Sequence, residues 1–337
     1  MRINYYIKSH GILSRKENTL YFIKKLEDDG DGKINKIPIP IEKVFAIFCY
    51  GRVTLSSGSI EILSKYNIPV HFFNKYGFKV GTYFPRPKKV SGRVLLAQVS
   101  YYLDNLKRIV LARTIVKGAL SNILINMRYY RRTYQEIFPF EEKVQKYIDQ
   151  LENANTVNEL MGIEANARKE YYKTFDLILP TPFKFETRSI RPPKNMFNSL
   201  LSFGNSLVYS TVLSEIYITH LDPTISFLHE LYDRRFSLSL DISEVFKPLL
   251  SDRVIMHLLM KREIGPECFN SDLNGILLND NGRTKFLKHY EEKLMTTIKH
   301  RSLKRNVSYR GLIRLECFKL MKHLLEIEVY KPFVIWW

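Results

Sequence analysis

The sequence predicts an α+β protein with a small β-rich amino-terminal domain, residues 1–84, and a larger all-helical carboxy-terminal domain, residues 94–337, joined by a linker, residues 85–93. Three observations carry this expectation. Short runs rich in β-branched and aromatic residues, separated by turn signals, fill the start of the chain. Pro85, Pro87, Lys88 and Lys89 then interrupt the pattern, in the manner of a basic inter-domain linker. From Val94 onward apolar residues recur at three- and four-residue steps, the spacing of an amphipathic helix. At 337 residues the chain is long enough for two cores.

In order along the chain, Arg2–Ile7, Thr19–Ile23 and Val44–Phe48 read as strands. The DDGDGK run at Asp28–Lys33 lacks the twelve-residue calcium-loop pattern, so it reads as a solvated hairpin tip. Ser56–Tyr66 reads as one short helix, with strands at Ile68–Phe73 and near Phe78–Phe84 after it. A helix is expected over 94–132, with a stripe of Leu95, Val99, Tyr102, Leu106, Ile109 and Leu120. Its Lys107, Arg108, Arg113, Lys117 and Arg128 read one by one as ordinary solvated charges. Further helices are expected at Phe138–Leu151, Val157–Phe175, Asn195–His220, Ile242–Glu263 and Lys285–Lys299. Leu179–Lys194 is Pro-rich, basic and without period, an irregular stretch of the kind that is functional or mobile. The aromatic ending YKPFVIWW is expected to pack on the body or on a partner.

Composition narrows the function. Hydrophobic residues make up 45% and charged residues 26%, values of a globular protein rather than a disordered one. The 52 basic and 34 acidic residues leave a net charge of +18, which attracts DNA, RNA or anionic membrane and says nothing of fold. Cys49, Cys268 and Cys317 form no CxxC pair, which argues against a zinc ribbon and a disulfide framework. The opening MRINYYIKSH lacks the apolar core of a signal peptide, and no uncharged apolar run approaches the roughly 20 residues of a spanning helix. A cytoplasmic setting without membrane contact is expected. P-loop, dinucleotide and HExxH motifs are absent from the sequence.

Three strings carry chemistry: GIEANARKEYY around Glu164, SFLHE around His229 and SLSLDISEVFKP around Asp241 and Glu244. Oxygen and nitrogen ligands on helices suit a divalent cation, and the surrounding Lys and Arg suit a polyphosphate. Each residue also has an ordinary explanation. Asp241, directly after the strand-like SLSL, has the position of a helix N-cap, and Glu244 at i+3 would complete a capping box. Glu164 borders an apolar stripe of Leu160, Ile163, Ala167 and Tyr171, where Arg168 offers a simple i,i+4 ion pair. His229, twelve residues before Asp241, favours a metal site, because the ELYDRRF loop is the right length to return it to the acidic helix start. The other seven histidines, His71, His220 and His257 among them, show no comparable acidic context and read as packing or surface residues. Metal-dependent phosphodiester chemistry on nucleic acid is the reading that unites the three strings.

Taken with RPPKNMFNSLLSFGNSLVY, these strings stand in the order and spacing of the CRISPR-associated integrase family, Cas1, and the chain resembles that family over nearly its whole length. The resemblance implies that Glu164, His229 and Glu244 hold Mg²⁺ or Mn²⁺. It makes Asp241 an auxiliary acid, puts Lys247 at a basic position that contacts phosphate, and matches Tyr172 to a frequent aromatic position. Ala165 and Ser226 stand where many relatives carry Gly, and neither departure removes a ligand. The implied activity is that of a metal-dependent DNA endonuclease and integrase. It inserts prespacer duplexes into a CRISPR array by 3′-hydroxyl attack on a phosphodiester of the repeat. The implied assembly is a homodimer through the β domain, with two dimers bridging a dimer of the small partner Cas2 in a heterohexamer. Lys88, Lys89, Arg93, Arg188, Arg191, Lys194, Arg234 and Arg235 would line a DNA phosphate track. A general metal-dependent DNA or RNA nuclease uses the same ligands, and a non-catalytic nucleic-acid scaffold would use the carboxylates only to pair with Arg168 and the Lys247 region.

Overall fold

The computed structural model describes residues 2–24, 35–74, 76–86, 90–190, 192–233, 235–272 and 275–336. The chain divides into two compact units, Met1–Lys88 and Lys89–Trp337.

The first unit holds eight strands and a helix among its described residues: β1 (Ile3–Ile7), β2 (Gly11–Lys16), β3 (Thr19–Lys24), β4 (Lys36–Ile39), β5 (Val44–Cys49), β6 (Val53–Leu55), α1 (Ser57–Tyr66), β7 (Val70–Phe73) and β8 (Lys79–Tyr83). They form two four-stranded sheets, ordered β1-β5-β7-β8 and β4-β3-β2-β6. The run VFAIFC of β5 is buried at every residue, as a strand with parallel neighbours on both sides and both faces covered must be. Ser56 caps α1 by accepting the Ser59 amide, and Asn67 ends it in the left-handed conformation at φ 56°. Leu13, Leu20, Ile47, Leu63 and Val70 lie in one core. The DDGDGK turn lies outside the described residues.

The second unit is helical: α2 (Gly92–Leu103), α3 (Asn105–Arg131), α4 (Phe138–Gln150), α5 (Val157–Ile178), α6 (Met196–Tyr217), α7 (Ser237–Phe246), α8 (Arg253–Met260), α9 (Asp280–Met295) and α10 (Tyr309–Leu324). Two small hairpins join them, β9 (Phe269–Asp272) with β10 (Gly275–Leu278) and β11 (Thr297–Lys299) with β12 (Asn306–Ser308). The central α3 packs on α2, α4, α5 and α7. It is the one described helix long and apolar enough to cross a membrane, but 67% of that stretch is buried inside the fold. Its apolarity is therefore that of a core helix.

The α+β architecture is as expected, with differences in detail. The helix expected over 94–132 is two helices. Asp104 leaves the helical region at ψ 104° and accepts the amides of Leu106 and Lys107, ending one helix and capping the next. The restart shifts the helical phase, so α2 buries Val94, Gln98 and Tyr101, whereas Leu95 and Val99 face solvent and Leu106 is 78% exposed. Gly92 already begins α2, so Arg93 is helical. The helix expected over 242–263 begins at Ser237 and contains a π-helical segment, Pro248–Asp252. Pro248 has no amide to donate, and the ladder slips to an i→i+5 bond from the Asp252 amide to the Lys247 carbonyl. The helix expected over 285–299 runs instead from its Asn279 cap to Met295, and Thr297–Lys299 pairs as a strand. No helix was expected at α10.

Two buried asparagines of α3 tie this unit together. Asn126 donates to the Pro248 carbonyl, and Asn122 donates to the carbonyls of Val245 and Phe333 while accepting the Ile335 amide. The aromatic tail thus packs on the body, Phe333 lying stacked 5.9 Å from Phe246. Gly118 permits the approach, since a Cβ there would meet Pro332 at 2.5 Å. Asn122→Ala strands three buried partners and is expected to cost about 2–4 kcal/mol in urea unfolding; a loss below about 0.5 kcal/mol would show that the tail does not depend on it.

Candidate active site

Three elements bring the expected residues together. Thr156 caps α5 by accepting the Glu159 amide, and the buried Leu160, Ala167 and Tyr171 set the helix face. That phase leaves Glu164 at the edge of the core, its side chain 17% exposed. Arg168, one turn on, donates to Glu164 at 2.5 Å and also to Glu244 of α7 at 2.7 Å. The i,i+4 pair therefore exists, but as half of a bridge that draws two carboxylates from different helices towards one guanidinium.

Asp241 does something its sequence context hid. SLSL is helical, so Asp241 lies inside α7 and the N-cap and capping-box readings fall. Its fully buried carboxylate caps a different segment, accepting the amides of Phe227 (2.6 Å), Leu228 (3.0 Å) and His229 (3.0 Å) and the His229 Nδ1 proton (2.8 Å). A carboxylate only accepts, so this bond places the imidazole proton on Nδ1 and leaves the Nε2 lone pair free. Nε2 lies 3.8 Å from Glu244 Oε1. Burial lowers the His229 pKa, and the hydrogen bond and charge of Asp241 with that of Glu244 outweigh it and leave it raised.

Glu244 is buried and receives Lys247 Nζ at 2.5 Å on Oε1. Burial alone would raise its pKa, but Lys247, Arg168 and His229 bring it down to about 2. Burial would lower Lys247, yet Glu244 holds it above its ordinary value, and the ammonium lies 4.9 Å from the Tyr209 ring. Tyr172 is buried close to Arg168 and pushed up to about 12. The donor types suit a divalent cation: an imidazole nitrogen oriented by an outer carboxylate, the ionised Glu244 beside it, and Glu164 on the same guanidinium as Glu244. Glu164, His229 and Glu244 are the residues able to hold it.

Some residues went unnoticed in the sequence. Arg168 was visible only as a partner of Glu164. Asp252, in the π segment, is fully buried with neither carboxylate oxygen hydrogen-bonded among the described residues, and burial pushes it up to about 7 against the pull of Arg168 and Lys247. No spacing rule points to it, because the slipped ladder sets its direction. Of the expected phosphate track, Arg188 has its guanidinium tied to Asn198 Oδ1 (2.9 Å), Ser202 and the Ser189 carbonyl in the loop before α6. Arg93, Lys194 and Arg235 are exposed, with Arg235 5.7 Å from the Tyr232 ring. Lys88, Lys89, Arg191 and Arg234 lie outside the described residues. His257 and His289, read as packing or surface residues, both contact Glu263. That acid is remote from His289 in sequence and meets it only through helix packing.

Asp241→Ala is expected to cost about 3–4 kcal/mol in thermal or urea unfolding, since it orphans three buried amides. Glu164→Ala, at a partly exposed position, should cost less than about 1 kcal/mol. Equal losses in the two variants would contradict the division of roles drawn here.

Comparison with known proteins agrees over almost the full length. The family described as "CRISPR associated protein Cas1" matches residues 5–292. The chain is 47% identical over 336 residues to the "CRISPR-associated endonuclease Cas1" of Methanothermobacter thermautotrophicus, covering 100% of this chain and 96% of that one. It superposes with a TM-score of 0.86 and 40% identity on the structure of TM1797, a Cas1 protein from Thermotoga maritima, covering 98% and 99% of the two chains. A casposase bound to its integration product shares the fold, with a TM-score of 0.86 at 19% identity and coverage of 98% and 93%.

Proposed function

Because the chain belongs to the CRISPR-associated Cas1 family, we propose that it is a metal-dependent DNA endonuclease and integrase that inserts prespacer DNA into a CRISPR array. The observation that carries this reading is His229, held by Asp241 with Nε2 turned to Glu244, which Arg168 draws towards Glu164. When bound by Glu164, His229 and Glu244, a Mg²⁺ or Mn²⁺ ion supplies Lewis-acid polarisation of the scissile phosphate.

The protein's own groups prepare the site. Asp241 fixes the His229 ring and its tautomer. Arg168 and Lys247 keep Glu244 ionised in a buried setting, ready to ligate without a proton to lose. Lys247 and Arg168 also leave positive charge beside the carboxylates, where an attacked phosphodiester gathers negative charge. In the reaction the 3′-oxygen of the prespacer forms a bond to the repeat phosphorus as the bond to the repeat's leaving 3′-oxygen breaks. The attacking hydroxyl's proton passes to solvent, and solvent returns one to the leaving 3′-oxygen, which departs as a 3′-hydroxyl. Water in place of that hydroxyl gives hydrolysis.

The basic excess suits a DNA partner, with Arg93, Lys194 and Arg235 on the exposed surface. The family reading adds a homodimer through the β-rich unit, a heterohexamer with Cas2, and action in the cytoplasm. A branched DNA that mimics a half-integrated intermediate tests the activity. Wild type with Mn²⁺ is expected to rejoin the nicked strand, and EDTA to stop it. Glu164→Ala and His229→Ala should lose on the order of 10²–10³-fold or more in rate while keeping a native circular dichroism spectrum. Asp241→Asn, which disturbs an outer-shell bond, should weaken metal affinity about 10–100-fold. Cleavage without rejoining would point to a plain nuclease, and undiminished activity in Glu164→Ala would sink the assigned centre.

A further inference from the structure

We propose that His257, Glu263 and His289 form a second cation site, of the imidazole–carboxylate kind that takes Zn²⁺, separate from the Glu164–His229–Glu244 centre. His257 lies in the second turn of α8. After Met260 the chain reverses through Arg262, left-handed at φ 55°, and the Glu263 amide donates to the Leu258 carbonyl at 2.9 Å. This turn carries Glu263 back to the end of α8, where α9 packs and presents His289. The Glu263 carboxylate then meets both imidazoles, Oε2 at 2.7 Å from His289 Nε2 and Oε1 at 3.5 Å from His257 Nε2.

One ligand atom from each of the three residues lies within 4.8 Å of the other two. A tetrahedral Zn²⁺ with bonds of about 2.0–2.1 Å spaces its donors roughly 3.3–3.4 Å apart. Each imidazole Nε2 lies against its own oxygen of the one carboxylate, 3.5 Å at His257 and 2.7 Å at His289, so both separations are within about an ångström of that spacing. The outer sphere is in place as well. His289 Nδ1 faces Glu292 Oε2 at 3.3 Å, so the ring has a carboxylate behind it and Nε2 in front. Asp241 and His229 show the same relation in the first centre.

The surroundings select the ion. His257, His289 and Glu292 line a cavity of about 740 Å³ whose wall also carries Arg253, Lys261 and Lys293. These cations disfavour an ion held by charge alone, such as Mg²⁺, and leave the advantage to a borderline ion bound through imidazole nitrogen. Three protein ligands leave a fourth position for water.

The test uses the full chain, stripped of metal by chelator and titrated with Zn²⁺ against a chromogenic competitor, with Co²⁺ as a spectroscopic stand-in. Glu164→Ala/His229→Ala, which removes the first centre, is expected to keep one Zn²⁺ per chain and a tetrahedral Co²⁺ spectrum. In the same background His257→Gln/His289→Gln should weaken that binding roughly 100-fold or more, and Glu292→Gln about tenfold. His257→Gln alone, at a half-exposed position, guards against a folding defect and should still show the loss. Unchanged Zn²⁺ affinity in either His257 variant would overturn the proposal. So would the absence of any bound Zn²⁺ in Glu164→Ala/His229→Ala, whatever becomes of strand transfer.

Discussion

The candidate active site hangs on one buried carboxylate. The Asp241 side chain is fully buried, and its carboxylate hydrogen bonds go to the Phe227–His229 segment opposite α7. Three amides and an imidazole proton converge on it, which is what makes a carboxyl group tolerable at zero exposure. Such a residue gives little net stability compared with an apolar one of the same size. It gives position: the His229 ring cannot turn without breaking the bonds that compensate the charge. A loop residue thereby acquires the precision of a helix residue, and Nε2 acquires a direction.

The same logic runs through the rest of the centre. Glu164 and Glu244 belong to helices far apart in sequence, and their mutual repulsion would part them if Arg168 did not bind both. Lys247 takes the remaining Glu244 oxygen. Both carboxylates are thus engaged by Arg168, and Lys247, Arg168 and His229 keep Glu244 ionised. Beneath them the break at Pro248 is absorbed by the π turn, whose freed carbonyl is met by Asn126, while Asn122 takes Val245 and the tail. Asn126 thereby ties the irregular backbone next to the centre to the central helix α3.

Much of this was legible in the order of residues. The strand-rich start, the helical remainder and the three acidic and imidazole strings stand out because period, turn chemistry and ligand type are local properties. Helix bounds were less legible where one side chain overrides the period, as Asp104 does between α2 and α3 and Pro248 does after α7. The local context of Asp241 offers a cap for its own helix, the commonest use of an Asp before an apolar run, and only the likeness to Cas1 makes it an auxiliary acid. Its true partners lie twelve to fourteen residues back, across a loop. Arg188 looked like any loop arginine available to phosphate, and only the fold shows it bound to Asn198 and Ser202.

By itself the sequence determined the α+β class, through composition and periodicity, and the likeness to Cas1, through motifs read within short windows, and that likeness is what singles out Glu164, His229 and Glu244. Tertiary structure decided the roles: the bridge at Arg168, the outer carboxylate at Asp241, the buried Asp252, and the meeting of His257 and His289 over Glu263. Each of those depends on distance between residues far apart in the chain. A sequence records what a side chain can bind, whereas helix packing decides what it reaches.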